Sequence, residues 1–444
     1  MPFEPKRVKG LPPLPKIYQM AILVDDKNFS QLDMYTQIIL RELPDDPHAN
    51  LAAAFVAKQF DLYEHFITHF QKAQGGDRSL TDLSNDLHID IDSWQDYQQK
   101  AIQQKKTQHP QQTSSQIITA KNKIHLIKAW GFGFGSEMIF LMAQAYLAEI
   151  LDRTPVVHWG ENFLYRNLGN ECVFAHFFKP FNELSIQTII QAEQKSIFPP
   201  KWNCKNLLDE NVQKKIGAFS KMSALYYLRN DASVTIADYF SGVLNIKPWL
   251  PKDHKFNKWS LDETYRYLMA KYLKPQNRIQ EIADKFVHNA INTPFIAVHA
   301  RGSDKDEGYR AMTSIPMQTL TYAKKRLLEL PDEGKLFLMT DDEKLLDRYQ
   351  AEFGNRLITT NSQRSSTEVG VHYNPSSNKR TAGEEMLVDM LIASKADCFI
   401  GLGLSNPSQL ICYIGNFQPE NYILFGENRL KQFNTHLYKT VPVN

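Results

Sequence analysis

The sequence predicts an α/β protein in which two parallel-sheet domains follow an α-helical N-terminal region. Three observations lead to this class. From residue 294 onward, short apolar runs alternate with segments of helical pattern, as strands and helices do in a doubly wound domain. A less regular alternation covers 123–240. Before residue 104, aromatic side chains recur at helical spacing.

Composition places the chain among ordinary globular proteins. Of its 444 residues, 43% are hydrophobic and 23% are charged, and the length allows two or three domains. The 51 Lys and Arg against 49 Asp and Glu give a net charge of +2, so no global field for nucleic acid or an anionic membrane is expected. No apolar run approaches the roughly 18 residues of a membrane span.

The four cysteines form no CxxC pair, so no metal site is predicted. Residues 1–16 carry charge without an apolar stretch and show no secretory signal. These features favour a cytoplasmic protein, or one exported without an N-terminal signal peptide. The Lys-, Asn- and Gln-rich composition favours a bacterial source.

The N-terminal region is predicted to contain helices over 29–42 and 48–73, with one or two more over 81–104. An aromatic stripe like that in the second helix is more often core than a docking surface. Residues 99–116 are polar and Gln-rich, which predicts a linker. We therefore expect a helical region with its linker over 1–116, a first sheet domain over 117–290 and a second sheet domain over 291–444.

A strand–turn–helix unit opens the first sheet domain. A Gly-rich turn, WGFGFGS over 130–136, separates a strand over 123–129 from a helix over 137–152. Gly133 and Gly135 let the backbone approach a ligand, and the helix N-terminus suits a phosphate. The GxGxG spacing differs from the GxGxxG of dinucleotide-binding proteins. A tight turn without a ligand is the equally supported alternative.

The rest of this domain carries fewer signals. Helical patterns cover 213–228 and 262–290, the second broken at Pro275. A strand is predicted over 234–237, and a Trp- and Pro-containing loop over 196–203.

The second sheet domain shows regular alternation. Strands are predicted over 295–298, 335–339, 356–359, 398–401 and 422–424, and helices over 316–330, 343–353, 383–394 and 408–414. Two such sheets facing each other would form a ligand-binding cleft between their strand ends.

Polar clusters follow three of the predicted strands: HARGSDK over 299–305, TDD over 340–342 and GLGLSN over 401–406. Because ligands bind beyond the carboxyl ends of parallel strands, we predict a site at this edge. A solvated loop with a chance salt bridge is the alternative for the first cluster. Asp389 lies in an apolar helix and is either a structural hydrogen-bond acceptor or a ligand contact.

In combination, these segments resemble the fucosyltransferase superfamily of core α-1,6-fucosyltransferases, nodulation fucosyltransferases and protein O-fucosyltransferases. The core α-1,6 group is the most similar, over roughly 123–160 and 265–415. Four blocks in order carry the resemblance: 130–135 with 153–157, 272–275 with 295–305, 340–342, and 387–390 with Ser405.

The resemblance implies a GT-B-like fold, with two Rossmann-like domains facing a cleft, and GDP-fucose as the donor. It also implies inversion at the sugar, with no metal or other cofactor. The acceptor stays open between a glycan, a protein hydroxyl and a small molecule.

Matched positions carry over residue roles. The resemblance implies that Arg301 holds the β-phosphate of the donor, that His299 lies beside the nucleotide and that Asp389 reads the guanine edge. A guanidinium suits the first task because it forms bidentate, charge-assisted bonds. Ser405 and Asn406 match a loop that contacts ribose and phosphate.

The acceptor side is implied by Asp304, Lys305, Asp341 and Asp342, which match its polar lining. Two positions depart from the family pattern. Gly302 stands where the core enzymes have a second arginine, and the proposed general base aligns with Tyr309. Glu307, two residues earlier, or one of the carboxylates Asp341 and Asp342 is therefore the expected base.

Three alternatives stay open. In the first, the donor is another GDP-sugar, such as GDP-mannose. In the second, which Gly302 favours, the chain is a nucleotide-binding interaction protein that has lost transfer. In the third, the Gly-rich turn belongs to an NAD-dependent oxidoreductase, which leaves the three strand-end clusters unexplained.

Overall fold

The computed structural model describes most of the chain. The described residues are 16–107, 123–167, 171–191, 196–214, 224–228, 230–237, 250, 253–302, 315–367, 370–373, 378–403, 405–415, 417–426 and 440–441. The chain forms two compact units, one of residues 1–128, 147–156 and 184–241 and the other of residues 129–146, 157–183 and 242–444. The domain boundaries predicted at residues 116 and 290, and the cleft between two sheets, stay predictions.

The predicted helical N-terminal region is confirmed. Its helices are α1 (Lys16–Asp25), α2 (Phe29–Glu42), α3 (Pro47–Gln59), α4 (Tyr63–Gln74), α5 (Leu80–Leu87) and α6 (Trp94–Thr107). Phe66, Phe70 and Trp94 are buried, with ring centroids 5.2 Å apart for the first pair and 5.3 Å for Phe70 and Trp94. The aromatic stripe is therefore core, as expected.

Two predictions in this region are wrong. The single helix over 48–73 is two helices, because the chain turns between them, where Asp61 has φ 52°. The linker predicted from residue 99 is wrong over 99–107, where α6 continues to Thr107. Gln and Lys are good helix formers, so a polar composition did not prevent a helix there. Residues 108–116 of the predicted linker lie outside the described residues.

The first sheet has four strands: β1 (Ile124–Lys128), β2 (Thr154–His158), β3 (Ile197–Phe198) and β4 (Val234–Ile236). Their order is β2-β1-β4-β3, with β4 parallel to both β1 and β3. The loop predicted over 196–203 thus contains an edge strand, too short to give a periodic signal. The helices along this stretch of the chain are α7 (Phe134–Ile150), α8 (Phe174–Phe177), α9 (Ile186–Gln191), α10 (Glu210–Lys214) and α11 (Ala224–Leu228). Of these, α8 and the part of α7 up to Tyr146 belong to the compact unit that contains the second sheet. Of the predicted helix over 213–228, residues 215–223 are not described.

The second sheet has six strands: β5 (Phe295–Ala300), β6 (Lys335–Thr340), β7 (Leu357–Ile358), β8 (Cys398–Leu402), β9 (Tyr422–Phe425) and β10 (Thr440–Val441). Their order is β10-β9-β8-β5-β6-β7, and every pairing is parallel. From β5 the chain continues outward through β6 to β7, and from β8 it continues in the other direction through β9 to β10. The strand order therefore reverses at a switch point between β5 and β8. This is the doubly wound arrangement that the sequence predicts.

Helices cover both faces of this sheet. They are α12 (Leu261–Tyr272), α13 (Asn277–Phe286, continued by a π turn Val287–Ile291), α14 (Ile315–Leu327), α15 (Glu343–Phe353), α16 (Lys379–Ala393) and α17 (Asn406–Gly415). Ile296, Val298 and Ala300 join a core with residues of α14 and α15. Because side chains alternate along a strand, His299 points to the opposite face, where α17 lies.

No helix among the described residues combines the length and the apolar character needed to cross a bilayer. The cellular compartment stays a prediction.

Candidate functional site

The carboxyl ends of three neighbouring strands place the predicted polar clusters at one edge. In the strand register, Ala300 of β5 lies opposite Thr340 of β6, and Val298 of β5 lies opposite Ile400 of β8. The residues that follow these strands therefore lie next to one another at the switch point, where ligands bind in such sheets. Asp304, Lys305 and Glu307 lie outside the described residues.

His299 is held between β5 and α17. Its Nδ1 lies 2.7 Å from Oγ of Ser408, which also accepts a hydrogen bond from the N–H of Leu402 at 3.0 Å. The imidazole is 5% exposed, and burial lowers the pKa of His299 to about 4, with a further lowering from Arg301 and an opposing effect of Asp341. His299 is therefore neutral at pH 7 and contributes hydrogen bonds rather than charge.

The two aspartates after β6 have different surroundings. Oδ1 of Asp341 accepts a hydrogen bond from the N–H of Gly302 at 3.2 Å, which ties the ends of β5 and β6 together. Oδ1 of Asp342 caps α15 by accepting from the N–H groups of Lys344 at 2.7 Å and Leu345 at 3.1 Å. Asp342 thus has a structural task that Asp341 does not share.

Gly302 is required by its contact with Asp342. A Cβ at position 302 would lie 2.3 Å from Oδ2 and 2.8 Å from Cβ of Asp342, closer than real Cβ atoms approach. The missing second arginine therefore has a local steric reason, since any side chain there would displace the residue that caps α15.

Asp389 is buried in α16 and hydrogen-bonded on both carboxylate oxygens. The hydroxyl of Thr360 donates to Oδ1 at 2.6 Å, and that of Ser362 donates to Oδ2 at 2.9 Å. Burial raises the pKa of Asp389 to about 6, against the lowering effect of the two hydroxyl donors and of Arg364. Each oxygen keeps a second lone pair, so the carboxylate retains capacity for a ligand.

The segment after β7 is a fourth polar strand-end cluster that the sequence analysis missed. The guanidinium of Arg364 organises this loop by donating to Oγ1 of Thr359 at 2.5 Å and to the carbonyls of Thr360 at 2.8 Å and Ser362 at 3.0 Å. The signal was present in the sequence, because TNSQR directly follows a predicted strand.

The Gly-rich turn binds a carboxylate of its own chain. Oε1 of Glu137 accepts hydrogen bonds from the N–H groups of Trp130 at 2.9 Å, Gly131 at 2.6 Å and Phe132 at 3.0 Å, and the side chain is fully buried. These donors are engaged by an internal anion. Any phosphate bound by this unit must therefore use the N-terminus of α7 itself.

The N-termini of α7 and α17 lie against each other. The amide of Asn406 donates to Oγ of Ser136 at 2.7 Å, and a Cβ at Gly135 would lie 2.8 Å from Cδ of Pro407. Two helix N-termini thus bring their partial positive charges together. The buried Oγ of Ser405 and Oδ1 of Asn406 have no hydrogen-bond partner within the described part of the chain. The hydroxyl of Ser405 and the backbone N–H groups of the two helix ends are donors and suit an anion with several oxygen atoms, whereas Oδ1 of Asn406 accepts and needs an N–H or O–H donor.

Comparisons with known proteins identify a family. A family model described as GDP-fucose protein O-fucosyltransferase matches residues 184–412, just over half of the 444-residue chain. The match includes residues 184–260, which the sequence resemblance did not cover. No curated protein matches the sequence significantly.

Several solved structures are similar to the chain. The fucosyltransferase NodZ from Bradyrhizobium has 17% identity and a TM-score of 0.44, over 69% of this chain and 95% of that one. FUT1 from Arabidopsis thaliana in complex with GDP has 12% identity and a TM-score of 0.45, over 82% and 77%. POFUT1 in complex with GDP-fucose has 15% identity and a TM-score of 0.42, over 70% and 99%. The family assignment rests on the family model.

Proposed function

The chain belongs to the GDP-fucose protein O-fucosyltransferase family and is a glycosyltransferase, and on that premise we propose that it transfers fucose from GDP-fucose to a hydroxyl group of a glycan or protein. We propose that the transfer inverts the sugar and needs no metal. The observation that carries the proposal is the carboxyl edge of the six-stranded sheet: Arg301 follows β5, the N-terminus of α17 follows β8 and lies against that of α7, and the buried carboxylate of Asp389 is hydrogen-bonded by the loop after β7.

Asp389 is proposed to bind guanine. An ionised carboxylate is acceptor-only and takes the two N–H donors of the guanine edge, a pattern that uracil does not present with the same geometry. Thr360 and Ser362 hold the carboxylate in place from one side. Arg364 supports its ionised form electrostatically.

The leaving diphosphate is proposed to bind Arg301 and the paired N-termini of α7 and α17. Charge develops on this group as the glycosidic bond breaks, and preorganised donors there stabilise the transition state. At the same helix end, the hydroxyl of Ser405 is proposed to donate to a phosphate oxygen, and Oδ1 of Asn406 is proposed to accept from a ribose hydroxyl. His299, neutral at pH 7, is proposed to lie beside the nucleotide.

Inversion requires a base on the face opposite the GDP and a stabilised oxocarbenium-like centre. Glu307, Asp341 and Asp342 are the proposed candidates. The capping role of Asp342 favours Asp341 between the two adjacent aspartates. Asp304 and Lys305 are proposed to line the acceptor side.

A transfer assay with GDP-fucose and glycan and peptide acceptors tests the proposal. The wild type should transfer fucose in the presence of EDTA and should be much slower with GDP-mannose. Arg301→Ala should lower kcat by about 10²–10³-fold, as removal of a transition-state donor does. Arg348→Ala, at an exposed position of α15, is the matched control and should keep full activity. Equal rates for the wild type and Arg301→Ala would contradict the role of Arg301.

A nucleotide-binding protein without transfer activity is the second candidate. Gly302 favours it, because the position cannot carry a second arginine while Asp342 caps α15. It predicts that GDP binds and that no acceptor receives fucose. Transfer to any acceptor in the panel would exclude it.

A further inference from the structure

A cavity of about 230 Å³ lies on the side of α16 that faces away from Asp389. Leu387 and Leu391, one helical turn apart on α16, line it, whereas Asp389 lies between them in sequence and so on the opposite side of the helix. The cavity is thus separate from the strand edge described above. It belongs entirely to the compact unit that contains the six-stranded sheet.

The wall of the cavity is apolar and built from four helices. Besides the two leucines of α16, it is formed by Met138 of α7, Met269 of α12 and Ile414 of α17. Met138 and Met269 are nearly fully buried. Scaled from an apolar cavity of about 150 Å³ that binds benzene, this volume has room for about eight or nine carbon atoms.

The rim of the cavity carries an exposed cation, Lys274, beside Arg266, whose charge is balanced by Asp262. Its polar lining residues are Arg266, Lys274, Gln280 and Tyr413, and among the described residues that line it there is no Asp or Glu. Nε of Arg266 donates to Asp262 at 2.7 Å and Nη1 to the carbonyl of Tyr413 at 3.0 Å, so this guanidinium is held in place. Lys274 follows the end of α12 and is exposed. Its ammonium group can therefore reach a head group at the rim.

We propose that the cavity binds a straight aliphatic chain of about eight carbons that ends in a carboxylate, that is, a medium-chain fatty acid. The tail lies among the methionine and leucine side chains, where unbranched and flexible groups pack well. The carboxylate lies beside Lys274. The ligand contacts the three helices, α7, α16 and α17, that also carry residues of the strand-edge site, but this binding does not depend on the proposed transfer reaction.

Isothermal titration of the full chain with fatty acids below their micelle concentration tests the proposal. From hexanoate to octanoate, each added methylene should tighten binding about fourfold. The gain should stop once the cavity is filled. The step from octanoate to decanoate should therefore tighten binding by less than the step from hexanoate to octanoate. Octan-1-ol should bind more weakly than octanoate, and octylamine more weakly still.

Two variants separate the head group from the tail. Lys274→Gln should weaken octanoate several-fold and leave octan-1-ol unchanged, whereas Lys271→Gln, an exposed lysine of α12 that does not line the cavity, should change neither. Ala270→Phe, at an exposed lining position, should block both ligands without disturbing the core. Absence of saturable octanoate binding, or binding that ignores both chain length and Ala270→Phe, would overturn the proposal. Equal octanoate affinity in Lys274→Gln would overturn the carboxylate assignment.

Discussion

Asp389 must be ionised to accept hydrogen bonds from guanine, and its burial opposes that ionisation. The pKa of Asp389 is raised to about 6, so the carboxylate is charged at pH 7.5 and mostly protonated at pH 5. A ligand that needs the charged form loses affinity tenfold for each pH unit below the pKa. GDP binding should therefore weaken about tenfold between pH 7.5 and pH 5 through this group.

Titration calorimetry at the two pH values checks the prediction for Asp389. The diphosphate of GDP also titrates, so the comparison is with Asp389→Asn, which should bind GDP more weakly at pH 7.5 and lack the tenfold component. If the wild type and Asp389→Asn show the same pH dependence, Asp389 does not bind the base.

His299 should make the fold sensitive to acid. Its pKa falls from about 6.5 in the unfolded chain to about 4 in the fold, chiefly because the ring is buried. The unfolded chain therefore binds a proton at this histidine more readily than the folded chain does. The fold keeps its full stability above pH 6.5 and loses stability as pH falls through 6.5 towards 4. Through His299 alone, the free energy of unfolding falls by about 2–3 kcal/mol between pH 7 and pH 4.5.

Denaturant unfolding at pH 7 and pH 4.5 measures this effect. His299→Gln should lose less stability on acidification than the wild type, and His288→Gln, an exposed histidine, should behave as the wild type does. Asp389 has the opposite sign, because its raised pKa stabilises the fold as pH falls from 6 to 4. The Asp389→Asn variant should therefore be more acid-sensitive than the wild type. Equal acid sensitivity of His299→Gln and the wild type would contradict the buried, neutral histidine.

At the scale of elements, the contact between the N-termini of α7 and α17 depends on a glycine. Gly135→Ala would place Cβ 2.8 Å from Cδ and 3.0 Å from N of Pro407, neither of which can move without shifting α17. Such overpacking should cost about 1–3 kcal/mol of unfolding free energy.

Gly133→Ala is the matched control, two residues earlier and just before α7 begins. A Cβ there would meet no described atom within 4 Å, so its stability should be unchanged or higher by up to about 1 kcal/mol. Thermal and denaturant unfolding of both variants make the comparison. Equal stability of Gly135→Ala and the wild type would mean that the two helix ends do not approach as closely as described.

The elements with an apolar run between polar boundaries were predicted well, and the misses have local causes. The strand from Phe295 is a short apolar run and the helix around Asp389 a longer one, and both are buried as such runs predict. The turn at Asp61 separates α3 from α4, although the spacing of apolar residues in the sequence continues from one helix into the next. The two-residue strand Ile197–Phe198 is defined only by its parallel pairing with β4, which no local pattern contains.

At the scale of the whole molecule, strand order creates the candidate site. The sequence showed that polar residues follow successive strands, but not that β8 lies beside β5 and thus brings Ser408 to His299. The role of Glu137 also needed the folded turn, since its carboxylate binds backbone groups up to seven residues earlier in the chain. The cluster after β7 was predictable by the rule used for the other strands.

The proposed function depends on a guanine nucleotide binding at the edge where β5, β6 and β8 end. Titration calorimetry of the full chain with GDP, UDP and ADP at pH 7.5 tests this most directly. We expect one GDP bound per chain, at least about tenfold tighter than either UDP or ADP, from the loss of a bidentate contact to the base. Binding of all three nucleotides with equal affinity, or of none, would contradict it.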